Sequence, residues 1–411
     1  MTWKCWSLSF VPTEVAFGIL SVLLPLYVIE EINGSLLDIG LIFFVKSFVQ
    51  IPAVILWARL INKKGKCKIF ITISFLISSL AIFLFPFTQS TWSLLALNSL
   101  LSIFYVAHMP ATRILIAESA PNLEWEGGFA WHKLILSIGG IAGLLAGALL
   151  TTRLDNRSLM ILCSVLVSVS LILSVALIQD PPFMIERRIM KFERFVHLAE
   201  QAYNLAYAPT NYARVQARET YFSRYPNPKP LILGILLFPL ASSMIFTSIP
   251  VFLSLKIGAS SSLIFSILLI NSIMVLLGYI LIRKNENRNN LKMIKIASLL
   301  RIFFPMLILL SGFLNFNQSL ALCSLALAIA GFTWPYFSVS STVLWMETAP
   351  KGTAGIYNAC SALGTALGSL MAGFISAYYG YDILFVLSAT VFGMALFLFA
   401  LSRSRHGNNY T

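Results

Sequence analysis

Residues 117–121 read Ala-Glu-Ser-Ala-Pro, and residues 346–350 read Met-Glu-Thr-Ala-Pro. Each phrase directly follows a long apolar run, and each carries one glutamate, Glu118 or Glu347, three residues before its proline. A second match, at an offset of 225 residues, joins Leu24-Pro25-Leu26-Tyr27-Val28 to Ile249-Pro250-Val251-Phe252-Leu253. Because self-similarity at a fixed offset is the signature of a repeated architecture, the sequence predicts two related halves.

The amino-acid composition is that of a membrane protein. Of the 411 residues, 58% are hydrophobic and only 11% are charged, whereas soluble proteins carry about a quarter charged residues. The apolar runs are about 20 residues or longer, enough to cross about 30 Å of hydrocarbon as helices. A membrane β-barrel would instead show alternating strands of about 10 residues. We therefore predict an all-α polytopic membrane protein.

Twelve apolar segments are long enough to be transmembrane helices: 8–29, 37–59, 68–87, 92–116, 131–151, 158–179, 230–255, 262–282, 293–314, 319–345, 354–378 and 381–402. Polar residues separate the sixth segment from the seventh. We predict two six-helix bundles, residues 1–179 and 230–411, joined by a linker loop at 180–229. The helical spacing of apolar residues in that loop fits an ordinary linker helix with a solvated face or an interfacial helix on anionic lipid.

The net charge of +13 indicates how the protein is oriented in the membrane. If the N-terminus is cytoplasmic, 23 of the 29 lysines and arginines fall on the cytoplasmic side. The positive-inside rule then places both termini in the cytoplasm of a protein of the cell membrane. We expect lipid around a monomer and no nucleic-acid partner.

The repeat extends through further glycines and sets the symmetry of the halves. Gly127, Gly139 and Gly143 match Gly352, Gly364 and Gly368 at the offset of 225, while the glutamate phrases match at 229. A four-residue insertion or deletion between the phrase and the first glycine accounts for the change of offset there. Six spans separate the two phrases, so both lie on the same side of the membrane. This is a parallel repeat about an axis along the membrane normal.

The loop between the second and third segments reads Ala58-Arg59-Leu60-Ile61-Asn62-Lys63-Lys64-Gly65-Lys66. With twelve segments in two sets of six and a basic loop between them, the chain resembles the major facilitator superfamily of transporters. That family's loop motif has a glycine, an acidic residue four positions on, a basic residue, and then glycine and another basic residue. The chain keeps Lys63, Gly65 and Lys66, but Ala58 and Asn62 replace the glycine and the acidic residue.

The resemblance implies a cytoplasmic latch between this loop and the ends of the fourth and tenth helices, formed by Asn62, Lys63, Gly65, Lys66, Arg113, Glu118 and Glu347. A charge contact at a wet surface contributes only about 0–1 kcal/mol, which suits a latch that must open. The amide of Asn62 cannot supply the family's charged partner. The two glutamates are alternatively ordinary helix-end charges facing lipid headgroups.

Charge inside a span is costly and indicates a pathway or an ion pair. Four of the ionisable side chains within the predicted spans stand out: Glu14, Lys46, Arg113 and Arg301. Lys46 lies mid-span with Gln50 one turn away, and it is the first candidate for contacting substrate or a counter-ion. Glu14, in a poorly hydrated cavity, is a candidate for binding and releasing protons. The alternatives are a lysine paired for structure and a wetted glutamate. For Arg301 we predict pairing with Glu347 or snorkelling.

Neutral side chains at moderate depth complete the candidate cavity: His108, Ser243, Asn271, Trp334 and Tyr336. His108 is alternatively a helix-packing residue. In Trp334-Pro335-Tyr336 the rings lie beside a proline kink and either shape a pocket or pack. The five cysteines are scattered singly, without the spacing of a zinc site or a disulfide scaffold, so we expect no metal and no cofactor.

The resemblance implies a secondary transporter that moves a small molecule by alternating access, coupled to protons if the Glu14 hypothesis holds. Gly139, Gly143 and Gly147 resemble the glycine motif of family exporters without its proline, which favours efflux slightly, although close helix packing also accounts for them. The alternatives are a membrane-embedded lipid-modifying enzyme, which would need clustered carboxylates, and a sensor without turnover. Lys46 favours an anionic solute, whereas Glu14 and the aromatic residues favour a hydrophobic cation, so the substrate stays open.

Overall fold

The computed structural model describes residues 5–119, 125–180, 229–284, 289–348 and 354–402, and the elements within these ranges are all helical. Across these ranges twelve spans are long and apolar enough to cross a membrane, and each predicted end lies within three residues of the observed one. The twelve-helix prediction is thereby confirmed.

In chain order, the helices of spans 1 to 12 are Val11–Glu30 after the 3-10 turn Cys5–Phe10, Leu36–Lys64, Cys67–Leu84 followed by the 3-10 turn Phe85–Phe87, Thr91–Tyr105 with His108–Ser119, Trp125–Leu150, Asn156–Leu177, Lys229–Leu255, Ser261–Lys284, Asn290–Ser311, Phe316–Thr348, Ala354–Tyr378 and Gly380–Leu401.

Consecutive spans run in opposite directions, so every span has one end at each side of the molecule. We call the end at which span 1 begins the terminus side and the opposite end the far side. Odd-numbered spans finish on the far side, and even-numbered spans begin there.

Both ends of span 2 are defined by local hydrogen bonding. At the far side, the backbone N–H of Ser35 donates to the Asp38 carboxylate (2.7 Å), and the Asp38 N–H donates to the Ser35 hydroxyl (3.2 Å). This reciprocal capping box satisfies two amides that the first turn leaves free. At the terminus side, Gly65 has φ +74° and its N–H donates to the carbonyl of Ile61 (2.7 Å). Glycine adopts this left-handed conformation without steric cost, so the glycine of the loop motif ends the helix.

Span 4 is broken at Val106 and Ala107, between its two helices. Pro110 accounts for the break because it has no N–H to donate and its ring clashes with the carbonyl four residues earlier. The carbonyl of Val106 accepts the Met109 N–H instead (3.1 Å), which leaves the carbonyl of Tyr105 without its helical donor. The Tyr105 carbonyl accepts a hydrogen bond from Ser74 Oγ (3.0 Å) and lies 2.5 Å from His108 Nδ1. Neighbouring side chains thus satisfy a backbone group that the hydrocarbon could not.

The predicted repeat is visible in the packing between helices. A Cβ added at Gly143 of span 5 would lie 2.2 Å from the carbonyl oxygen of Val15 in span 1. A Cβ added at Gly368 of span 11 would lie 2.2 Å from the carbonyl oxygen of Leu240 in span 7. Adding 225 to 143 and 15 gives 368 and 240. Both helix pairs are close enough to require glycine, and they are related by the sequence offset.

A second pair of contacts extends the same relation to spans 6 and 12. Cys163 Sγ lies 3.6 Å from the carbonyl oxygen of Ala16, and Ser388 Oγ donates to the carbonyl of Ala241 (2.9 Å). The offset between corresponding partners is again 225. The repeat therefore holds for individual contacts as well as for sequence letters.

Spans 2 and 11 form one contact between the halves, at the far side. A Cβ added at Gly40 would lie 2.6 Å from the Cα of Gly373 and 2.8 Å from the carbonyl oxygen of Ser369. A Cβ added at Gly373 would lie 2.9 Å from the carbonyl oxygen of Leu36. Backbone meets backbone here, without intervening side chains.

Spans 5 and 8 form the equivalent contact. Ser262 Oγ donates to the carbonyl of Ala148 (2.6 Å), and the ring of Phe265 lies where a Cβ on Gly147 would be. The offset of 225 relates Phe265 to Gly40 and Ala148 to Gly373. We call these two symmetry-related contacts the far-side seam.

The predicted linker loop falls almost wholly outside the described residues, as does the helix proposed within it, so the division at 180–229 stays a prediction. At its described edge, the Asp180 carboxylate accepts from the backbone N–H of Lys68 (2.7 Å), and Lys68 Nζ donates to the carbonyl of Val175 (2.6 Å). The end of span 6 is thereby attached to the start of span 3.

Replacing Gly143 with alanine is expected to lower the apparent melting temperature of the purified protein. The new Cβ would meet backbone rather than a movable side chain, and overpacking of this kind costs about 1–3 kcal/mol. Gly140 is the matched control in the same helix, because a Cβ there meets nothing within 4 Å. Equal melting temperatures for the two variants, measured in detergent, would contradict the proposed close packing of spans 1 and 5.

Candidate functional site

A cavity of about 480 Å³ lies between the two halves, within the size range of small-molecule sites. We call it the central cavity. Spans 1 to 5 contribute one wall, and spans 7, 8 and 11 the other. Its lining is Phe17, Leu20, Ser21, Leu24, Phe43, Lys46, Ser47, Phe85, Asn98, Leu101, Leu144, Ser243, Phe246, Thr247, Pro250, Leu268, Asn271, Ser272, Thr365 and Ser369.

The central cavity lies on the axis that relates the halves. Lys46 and Ser47 of span 2 correspond at the offset of 225 to Asn271 and Ser272 of span 8, and all four side chains line the cavity. The two walls are therefore equivalent in position but not in charge. The first half supplies a cation where the second supplies a neutral amide.

Lys46 is half-buried, and its Nζ lies 5.6 Å from the centroid of the Phe43 ring. The described residues contain one ion pair with an N–O distance within 4.0 Å, between Arg157 and Glu31 (3.2 Å). Lys46 therefore has no described acidic partner at that distance. The face of an aromatic ring attracts a cation without neutralising it. The Lys46 amino group thus faces the central cavity without a described acidic partner.

The second half lines the central cavity with hydroxyl groups and one amide. The hydroxyls of Ser243 and Ser369 are 2.7 Å apart, and Thr247 Oγ1 donates to Ser369 Oγ (3.2 Å). Asn271 Oδ1 is buried and has no hydrogen-bond partner among the described residues. Buried acceptors are normally satisfied; this one lies toward span 10, where a Cβ added at Gly331 would be 3.0 Å from it.

A second cavity of about 360 Å³ adjoins the first within the second half. We call it the side cavity. It shares four lining residues with the central cavity, Ser243, Phe246, Asn271 and Thr365. The residues that line it alone are Pro239, Ser242, Val275, Arg301 and Trp334.

Arg301 does not snorkel, because its side chain is only 1% exposed; that prediction is wrong. Its guanidinium donates to Thr333 Oγ1 (2.9 Å), Ser242 Oγ (3.0 Å) and the carbonyl of Ala330 (2.6 Å). The side chain of Glu347, the other predicted partner, lies outside the described part of the chain. The described contacts of Arg301 are thus neutral and join spans 7, 9 and 10.

Glu14 lines neither cavity and forms a hydrogen bond within the first half. Tyr105 Oη donates to the Glu14 carboxylate (3.0 Å). The ring of Tyr105 lies 4.4 Å, centroid to centroid, from that of Phe17, which does line the central cavity. Lys133 of span 5 exerts an attractive electrostatic effect on the same carboxylate. One layer of aromatic rings thus connects Glu14 to the cavity wall.

Three other candidates lie outside the walls of both cavities: Gln50, His108 and Tyr336. His108 is buried, with its ring 5.6 Å from Phe10 and its Nδ1 on the carbonyl of Tyr105. These contacts fit the helix-packing interpretation. Tyr336 packs beside Phe332 with ring centroids 5.3 Å apart.

The predicted latch is described only in part. Lys63, Lys66 and Arg113 are exposed, as a latch that must open requires. The side chains of Asn62, Glu118 and Glu347 lie outside the described residues. The pairing of these groups therefore stays a prediction.

Several lining residues were missed by the sequence analysis: Ser47, Asn98, Ser272, Thr365 and Ser369. These side chains are small and uncharged, so placing them in an apolar span has a low free-energy cost and does not mark them as functional in the sequence. The offset of 225 was the available signal, since it carries Lys46 to Asn271 and Ser47 to Ser272.

Comparisons with known proteins support a transporter. A family model described as Major Facilitator Superfamily matches residues 7–356. Multidrug resistance protein MdtG of Yersinia enterocolitica is 33% identical over 153 residues, which cover 36% of this chain and 35% of that protein. The chain thus matches about a third of the length of such relatives.

Solved structures share the fold over nearly the whole chain. The nucleoside transporter NupG gives a TM-score of 0.68 at 15% identity, covering 97% of this chain and 98% of its own. A bacterial homolog of the human lysosomal transporter Spinster, in an inward-facing and occupied conformation, gives 0.69 at 14% identity, covering 97% and 95%. At such identities the likeness concerns the fold alone. With its family model matched over most of its length, this multi-pass membrane protein belongs to the Major Facilitator Superfamily.

Proposed function

We propose that the protein exports a small organic molecule across the cell membrane by alternating access, as a monomer with both termini in the cytoplasm. The central cavity carries the proposal, because it lies on the axis between two repeated halves and is lined by both. A site shared in this way changes its exposure when one half rocks against the other. The excess of lysine and arginine on the terminus side supports the orientation.

The far-side seam supports an inward-facing conformation under this orientation. Its two contacts join the halves at their outer ends, through Gly40 with Gly373 and through Ala148 with Ser262. Rocking toward the other conformation would separate these contacts and bring the terminus-side ends together. The exposed basic groups of the predicted latch lie where the opposite contact would then form.

Export is supported by the partial likeness to MdtG, a multidrug resistance protein, and by the glycines of span 5. Gly139 and Gly143 pack on span 1, while Gly147 meets Phe265 across the far-side seam. The same helix face thus serves packing within the half and closure between the halves.

Transport into proteoliposomes tests the proposal directly. Purified protein is reconstituted in a known orientation and supplied with labelled compounds that are anionic, neutral or cationic but otherwise matched in size. Saturable flux that requires the protein supports a transporter. Binding without flux would indicate a sensor, and chemical conversion of the compound or of lipid would indicate an enzyme.

We propose further that Glu14 couples transport to protons. Glu14→Gln is expected to abolish flux driven by a pH gradient and to leave exchange between labelled and unlabelled compound intact. The amide can still accept the hydrogen bond from Tyr105, but it cannot bind and release a proton. Glu30→Gln at the exposed end of span 1 is the control. Flux of the Glu14 variant with unchanged pH dependence would contradict the coupling.

A further inference from the structure

We propose that Arg301 and the side cavity bind an oxyanion group of the transported molecule, so that the substrate is an organic anion with an apolar body. This inference rests on the proposed function, since it names the class of molecule that the cavity accepts.

The buried charge of Arg301 has no acidic partner among the described residues. The sequence from 229 to 411 contains three acidic residues, Glu286, Glu347 and Asp382. Glu286 lies between spans 8 and 9, Glu347 is at the terminus-side end of span 10, and Asp382 begins span 12 at the far side. A buried charge without a counter-charge is costly, and a positively charged side chain inside a membrane protein commonly marks a ligand pathway.

The contacts of Arg301 hold the guanidinium in place without neutralising it. Its three described hydrogen bonds go to neutral oxygens, and a guanidinium has five N–H donors. Five aromatic rings surround it, with centroids 5.4–6.0 Å from Cζ: Phe238, Phe246, Phe304, Trp334 and Phe392. Donors without a described partner remain in a rigid planar fork, the arrangement that binds carboxylate or phosphate oxygens through two parallel hydrogen bonds.

The two halves differ at the position of the side cavity. Pro239, which lines the side cavity, corresponds to Glu14 at the offset of 225. Trp334 corresponds to Tyr105 at the offset of 229, which is the offset that relates the two glutamate phrases. The first half therefore places a carboxylate and a tyrosine, bonded at 3.0 Å, where the second half has proline, an indole ring and a cavity.

The two cavities form a continuous site for such a ligand. They share the lining residues Ser243, Phe246, Asn271 and Thr365, so a molecule bound at Arg301 can extend into the central cavity. Its apolar body would contact Trp334 and Phe246. Lys46 on the opposite wall supplies a second positive charge, and none of the described carboxylates lines either cavity.

Thermal stabilisation of the detergent-purified full chain tests the inference. The probes are 2-naphthoate, 2-naphthylmethanol and 2-naphthylmethylammonium, which share one ring system and differ in charge. A ligand that binds the folded form raises its apparent melting temperature as ligand concentration increases. We expect naphthoate to stabilise the parent protein most, and its apparent affinity to fall by about tenfold or more in Arg301→Met, as the loss of a charge-assisted hydrogen bond predicts. Arg301→Lys should restore part of the affinity.

A second variant keeps the test decisive if Arg301→Met does not fold. Val275 lines the side cavity but not the central one, so Val275→Trp should fill the side cavity and weaken naphthoate binding with Arg301 intact. Arg157→Met, at an exposed surface, is the control. Equal stabilisation by the three probes, or naphthoate binding unchanged in both Arg301→Met and Val275→Trp, would overturn the inference.

The flux assay separates this inference from the proposed function. If the parent protein transports cationic or neutral compounds and ignores the anion, the transporter stands and the anion site is rejected. If naphthoate binds through Arg301 without flux of any compound, the site stands and the transporter is rejected.

Discussion

Gly40→Leu is expected to slow transport by about 5- to 150-fold and to hold the far side open. The Cβ of the new side chain would lie 2.6 Å from the Cα of Gly373, and no rotamer change can relieve a clash with backbone. Overpacking costs about 1–3 kcal/mol, which changes the population ratio of two conformations by about 5- to 150-fold. Only the conformation with a closed far-side seam carries this cost, so the equilibrium shifts toward the conformation in which the seam is separated.

The shift can be measured by labelling a cysteine placed at Ser47, which lines the central cavity. The five native cysteines are first replaced by alanine, and a membrane-impermeant thiol reagent is added from either side of proteoliposomes. Labelling from the far side should accelerate in Gly40→Leu. Gly393→Leu is the matched control, because a Cβ there meets nothing within 4 Å. A folded Gly40 variant with the parent's labelling pattern and flux would show that the seam is not the gate.

Lys46→Met is expected to raise the KM for an anionic compound such as naphthoate by about tenfold or more, because a hydrogen bond to a charged group contributes about 1.5–3 kcal/mol. Methionine keeps most of the length and the apolar character of the stem, so the change isolates the charge. Flux is measured in proteoliposomes over a range of concentrations, and Lys46→Arg should recover part of the affinity.

The control for Lys46 is Lys256→Met, which removes one positive charge from an exposed position at the far side. Its KM should equal that of the parent. If both lysine variants behave alike, or if Lys46→Met affects neutral and anionic naphthalene compounds equally, Lys46 serves packing and the central cavity owes its selectivity to other groups.

Sequence reasoning located the spans because length and hydropathy suffice to identify a helix in hydrocarbon. It could not predict the break in span 4, which depends on Pro110 and on the neighbours that satisfy Tyr105. Prolines are common inside membrane helices, and those in spans 1, 2, 7, 9 and 10 leave their helices unbroken. Tertiary contacts decide between the two outcomes.

The candidate site was predictable in part, for a reason that Lys46 and Arg301 illustrate. Lys46 lies at the middle of its span, and a mid-span charge is costly enough to indicate a cavity or a partner. Arg301 carries the same signal, but the sequence cannot show that neutral groups from spans 7 and 10 enclose it. Depth along a helix can be read from a sequence, whereas the direction of a side chain around the helix depends on packing.

The unequal walls of the central cavity determine how a bound molecule must lie. A cavity on a two-fold axis with identical walls would accept an asymmetric molecule in two poses related by a half-turn. Here Lys46 on one wall corresponds to Asn271 on the other, so the two poses differ in energy. Under the proposed alternating access, a bound molecule would therefore keep one end toward each half and leave in the pose in which it was bound.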